Sequence, residues 1–217
     1  MTGLFELILI LILLSNFILL GVFRPKILVI LLALQGFFLG LLSPAMEFSG
    51  QVHEVPWRTV YFALALIIMK GLVFPLILSN TIRQTRDTNY YQPLTGPLVS
   101  ILAGIAAFIV CMFFFARHPI NPELLKLCFP IAALTAFTGL FLLSMRTNAI
   151  SQIVGYITLE NGIYLCGIFL VGDIPYLVES FVLLDLLAAV IIKTVAVRYI
   201  RHELHGTGIH QMNALKG

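Results

Sequence analysis

Lys70, Glu160, Asp185 and Lys193 are ionisable side chains set deep inside apolar stretches. A charge at the centre of a bilayer costs about 2.5–3.5 kcal/mol on insertion scales, so it normally faces a partner or a wet cavity. Two kinds of chemistry fit these residues. A carboxylate in a low-dielectric site picks up and releases a proton closer to neutral pH, and a neighbouring lysine biases it by its charge; together they would form a proton relay. The plainer reading is a static interhelical pair, Lys70 or Lys193 with Glu160 or Asp185, that only fixes packing. Buried membrane charge is functional by default, which favours the relay. Lys193 follows Asp185 at an interval of eight residues, about 80° around and roughly 12 Å along one helix, a gap that waters could bridge.

Further polar side chains extend a candidate axis. Gln35 lies near the middle of the second apolar stretch. Asn161 follows Glu160 and precedes Gly162, where a neighbouring helix or water can approach closely. Glu179 is the outermost candidate, about one turn into the last stretch, and fits a solvated interfacial carboxylate better; Glu6 is similar.

The elements that must position these groups follow from composition. Of the 217 residues, 60% are hydrophobic and 11% charged. Polar residues gather in short clusters between apolar runs of roughly 20 residues, the length that crosses about 30 Å of hydrocarbon as a helix. Lipid offers the backbone no hydrogen-bond partner, so such runs must be helical. The expected fold is therefore all-α, a polytopic transmembrane helix bundle of about seven spans: Gly3–Phe23, Ile27–Leu42, Trp57–Leu78, Leu94–Ala116, Glu123–Ser144, Ala149–Val171 and Tyr176–Tyr199. The first run lacks a basic leader and a small-residue cleavage site, and reads as a retained helix rather than a signal peptide. Ser43-Pro44 could extend the second span by a turn, and 45–56 could include a short surface helix.

Lys and Arg near the helix ends set the expected orientation. With the N-terminus outside, inner loops carry Arg24, Lys26, Arg83, Arg86, Arg146, Arg198, Arg201 and Lys216, while outer loops carry only Arg58, Arg117 and Lys126. The C-terminus then lies in the cytoplasm.

The first and last three spans share a layout. Arg24 precedes a helix with Gln35, and the next helix holds Lys70 and ends near Arg83. Arg146 precedes a helix with Glu160, and the next holds Asp185 and ends near Arg198. This suggests parallel three-helix repeats, residues 1–93 and 121–217, joined by a connecting helix within 94–120.

Other chemistries find little support. Cys111, Cys128 and Cys166 lack CxxC spacing and read as packed free thiols. His202, His205 and His210 match no metal signature. No metal site, nucleotide motif or other cofactor site is expected, and a net charge of +3 is too small and dispersed for nucleic acid. Gly36 and Gly40 form a GxxxG match that reads as close helix packing.

The run from Ser151 to Tyr164, with Glu160-Asn161-Gly162 inside it, and the later Phe181-Val-Leu-Leu-Asp185-Leu-Leu resemble the small K subunit of respiratory complex I. Over its full length the chain resembles component E of hydrogenase-4-type membrane complexes. That resemblance implies a non-redox membrane subunit of a complex I-related nickel–iron hydrogenase, in contact with antiporter-like and other membrane subunits and with the lipid bilayer of a prokaryotic cytoplasmic membrane. It implies that Glu160 and Asp185 match the two buried acids of the K subunit. Asp replaces the usual Glu at the second, and Gln35 and Lys70 stand where the N-terminal copy would need acids, which leaves Lys70 as a charged partner for a neighbouring acid. A subunit of a multi-subunit cation/proton antiporter, a scaffold bundle without a proton path, and a stand-alone transporter are the competing readings.

Overall fold

The computed structural model describes residues 2–49, 57–85, 94–117 and 125–170, and every regular element among them is a helix. In chain order these are α1 (Thr2–Gly21), α2 (Pro25–Ser49), α3 (Trp57–Leu66), a π-helical stretch (Ile67–Val73), α4 (Phe74–Thr85), α5 (Pro97–Ala116), α6 (Leu125–Met145) and α7 (Ala149–Leu170). Among the described residues, five stretches are long and apolar enough to cross a membrane: Gly3–Gly21, Pro25–Ala45, Thr59–Arg83, Pro97–Ala116 and Leu127–Met145. α7 matches the sixth expected span; its 22 residues reach about 33 Å, although Gln152, Glu160 and Asn161 make it more polar. The expected seventh span, Tyr176–Tyr199, and the histidines of the tail lie outside the described residues.

Local sequence explains the ends and irregularities. Pro97 opens α5 at the first helical position after Gly96, where its missing N–H costs nothing. Asn148 caps α7, its Oδ1 accepting from the Ile150 N–H at 2.8 Å. α2 runs through Pro44 to Ser49, further than the expected single extra turn. α3, the π-helical stretch and α4 form one continuous rod, because Leu66 and Phe74 at the junctions both keep right-handed helical backbone. Within it the Phe74 N–H bonds the Met69 carbonyl, an i to i−5 bond. Pro75 has no N–H for the Gly71 carbonyl, and the chain winds wider just before it.

The bundle is apolar outside. Leu4, Leu7, Ile10, Leu14 and Ile18 form an exposed stripe along α1, and Leu98, Leu102, Ile109 and Phe113 do the same on α5. Buried polar residues, Asn16, Gln35, Lys70, Thr135, Glu160 and Asn161 among them, are inside. That inversion is what a lipid-facing bundle requires. Glycines allow close approach: Gly36 and Gly40 of α2 seat against Lys70 and Ile67, and Gly139, Gly155 and Gly162 bring α6 and α7 together.

The interior is layered. One apolar cluster takes Phe5, Ile12, Leu39, Leu66, Ile131 and Leu165; the other takes Leu19, Leu32, Phe74, Leu142 and Ile157. On each of these helices a polar residue falls between the two clusters in sequence: Asn16 on α1, Gln35 on α2, Lys70 in the π-helical stretch, Thr135 on α6, and Glu160 with Asn161 on α7. A polar sheet of side chains thus lies across the bundle with hydrocarbon on both sides.

Candidate functional site

Lys70 is the charged centre of that layer. Its Nζ donates to Asn161 Oδ1 at 3.0 Å, and Asn161 Nδ2 donates to Gln35 Oε1 at 3.2 Å. Gln35 Nε2 donates to Asn16 Oδ1 at 3.0 Å, and Asn16 Nδ2 to Thr135 Oγ1 at 2.7 Å. The Thr135 hydroxyl ends the chain on the Ile131 carbonyl, one turn back along α6, at 2.7 Å. Every side chain in this sequence is at most 1% exposed. Buried amides without partners are costly, so a fully connected chain is the arrangement that makes such residues tolerable between apolar walls.

Glu160 joins by charge. Its Oε1 lies 3.9 Å from Lys70 Nζ, with both side chains almost fully buried. That separation exceeds the 2.7–3.2 Å of an N–H···O hydrogen bond, so the pair interacts through space while the ammonium is bonded to Asn161. One ammonium thus faces an amide oxygen and a carboxylate, presented by consecutive residues of α7.

Tyr164, one turn beyond Glu160, completes the surroundings. Lys70 Nζ lies 5.7 Å from its ring centroid, within cation–π range. Its hydroxyl is 3.3 Å from Ser43 Oγ on α2. The ring belongs to the apolar cluster beyond the polar layer. On α6, Thr138 is buried with a hydroxyl that has no hydrogen-bond partner among the described residues.

Of the residues singled out from sequence, the structure brings together Lys70, Glu160, Gln35 and Asn161. Asp185, Lys193 and Glu179 lie outside the described residues. Asn16, Thr135, Tyr164 and Ser43 were not anticipated. Asn16 was visible as an amide between the leucine-rich halves of the first span; the threonine, serine and tyrosine gave no comparable signal. Among the described residues the cysteines form no disulfide; Cys128 is buried and Cys111 and Cys166 are half-buried.

At the end of the bundle where α1 meets α2 and α6 meets α7, Arg146 is buried. Its Nη2 donates to the Leu20 carbonyl at 2.8 Å and the Val22 carbonyl at 3.3 Å, and its guanidinium lies 3.9 Å from the centroid of the Phe23 ring. Burial lowers its pKa to about 10, which leaves it cationic at neutral pH.

The chain is similar to hydrogenase-4 component E of Escherichia coli (strain K12), at 31% identity over 164 residues covering 74% of each chain. It matches the proteins of the same name from Escherichia coli O157:H7 and Shigella flexneri to the same extent. It is also similar to an uncharacterized protein of Mycobacterium tuberculosis, at 25% identity over 190 residues, 86% of this chain and 84% of that one. No family model matches the chain, and no solved structure matches it.

Proposed function

The chain belongs to the hydrogenase-4 component E family, and from that premise we propose that it is a membrane subunit of a hydrogenase assembly that relays protons, or couples charge movement, through its buried ionisable residues. The observation that carries this reading is the Lys70–Glu160 pair, 3.9 Å apart and joined to a hydrogen-bonded amide chain between two apolar layers. Because those layers cover the polar sheet on both sides, a change of charge at the pair is felt across the bundle, from helix to helix, and not along one helix from face to face. Such a subunit passes the effect of a protonation change to its neighbours in the membrane.

On this reading redox chemistry belongs to other chains, and the subunit itself holds no cofactor. Its partners are a nickel–iron hydrogenase and antiporter-like membrane subunits. Asp185 and Lys193 continue the relay on the chain's last apolar stretch, and the N-terminus faces outward with the basic turns at Arg24 and Arg146 in the cytoplasm.

Substitution in the native host tests the proposal. Glu160→Gln and Asp185→Asn are expected to leave the assembly intact while proton translocation per turnover falls. If both variants translocate like wild type, the relay reading fails and a scaffold remains. Copurification tests the setting: a nickel–iron hydrogenase large subunit in the isolated assembly supports it, whereas sodium/proton exchange without that subunit places the chain in an antiporter.

A further inference from the structure

The amide chain has a direction, and chemistry at both of its ends fixes it. A lysine ammonium donates hydrogen bonds and accepts none. Asn161 must therefore turn its oxygen to Lys70, which leaves only its NH2 for Gln35. Gln35 in turn offers NH2 to Asn16, and Asn16 offers NH2 to Thr135. At the far end the single Thr135 proton is committed to the Ile131 carbonyl, so the hydroxyl can only accept from Asn16. Each amide dipole then points its negative end toward the ammonium, and aligned hydrogen bonds polarise one another. A carboxamide has no proton to give without changing tautomer, so this branch acts on the ammonium electrostatically and does not conduct.

We propose that Asn16 and Thr135 are positioning residues: anchored on the Ile131 carbonyl, they lock the amide chain in the direction that presents an oxygen to the Lys70 ammonium and so hold it off Glu160. The geometry stands by itself, and its functional consequence rests on the relay reading above. If the anchor is removed, Asn16 loses the acceptor for its NH2, and the ammonium end alone still orders the amides. Asn161 then holds the ammonium less firmly, and the ammonium shifts across the 3.9 Å gap toward the carboxylate.

Dicyclohexylcarbodiimide reads this out. It is an apolar reagent that adds to protonated carboxyl groups within membranes and spares ionised ones. Native membranes are treated and the adduct at Glu160 is quantified by mass spectrometry. The reagent reaches Glu160 through whatever fraction of the carboxyl is protonated at a given moment, so labelling is expected to fall severalfold below wild type in Thr135→Val and Asn16→Leu and to match wild type in Thr135→Ser, which retains the hydroxyl. Thr135→Val is nearly isosteric, so its result stands even if Asn16→Leu accumulates poorly. Equal labelling of Thr135→Val and wild type overturns the proposal, as does a wild-type Glu160 that does not react. The two readings separate cleanly. Reduced labelling with normal proton translocation upholds the positioning role and removes the relay; lost translocation with unchanged labelling does the reverse.

Discussion

Gly36 on α2 lies flush against the backbone of Lys70: a Cβ at Gly36 would stand 2.7 Å from both the Lys70 carbonyl carbon and its Cβ. The absent side chain is what lets α2 reach the π-helical stretch and puts Gln35 within reach of Asn161. Gly36→Ala must push the helices apart. Overpacking of this kind costs about 1–3 kcal/mol, against a gain of about 1 kcal/mol from helix propensity, so the thermal midpoint of the solubilised protein should fall modestly. Gly71 makes the comparison. Its added Cβ would meet nothing closer than 3.8 Å, and Gly71→Ala should be neutral or slightly stabilising.

Lys70 and Glu160 should behave as a coupled pair. Removing one partner of a buried pair leaves an uncompensated charge, a cost of about 3–5 kcal/mol, whereas replacing both is often close to neutral. Lys70→Met should therefore destabilise strongly, and Lys70→Met with Glu160→Gln should recover much of the loss. A double-mutant cycle on denaturation midpoints checks this. Additive costs would show that the two side chains do not sense each other across 3.9 Å.

The Tyr164 hydroxyl lies beyond the polar layer, against Ser43 at 3.3 Å. If charge moves sideways within the layer, this contact is only structural. Tyr164→Phe keeps the ring beside Lys70 and loses the neutral hydrogen bond to Ser43, worth about 0.5–1.5 kcal/mol; proton translocation per turnover should stay at the wild-type value. A severe loss in Tyr164→Phe would show that the route leaves the layer through these hydroxyls and crosses the apolar cluster.

The fold class is legible in the sequence because lipid imposes one solution on long apolar runs, and α1, α5 and α6 fall close to where those runs predict them. Lys70 and Glu160 are legible for the same reason: charge among leucines stands out. What joins them was hidden. Whether an amide or hydroxyl inside a span meets a partner depends on how neighbouring helices are rotated, and sequence spacing along one helix does not contain that. Asn16 and Thr135 lie 119 positions apart, on helices whose hydrophobicity is nearly uniform around the axis. The matched layout of Gln35 and Glu160 places them at equivalent positions of two units, and it does not contain the hydrogen bond that Gln35 shares with Asn161 beside Glu160. The wide winding at Lys70 was equally unreadable, since a proline just after it fits a kink as well as a π-helical stretch.

Arg146 makes a prediction of a different kind, because it lies outside the membrane-spanning segments and away from the polar layer. It is 4% exposed, yet Nε and Nη1 have no hydrogen-bond partner among the described residues, so its hold comes from the Leu20 and Val22 carbonyls and the Phe23 ring. Those carbonyls end α1, where no further turn supplies donors. Arg146→Met should cost about 1.5–3 kcal/mol, the worth of hydrogen bonds to a charged group, and should speed hydrogen exchange at the α1–α2 turn without altering proton translocation. The pH dependence has a definite sign. With a folded pKa of about 10, below the group's ordinary value, the unfolded chain holds the proton across that window and the folded chain has released it. This group's contribution to stability therefore rises with pH between those values and is flat below them. Relative to Arg146→Met, the wild type should gain stability only above about pH 10. A difference that changes near neutral pH would mean the guanidinium is not the group responsible.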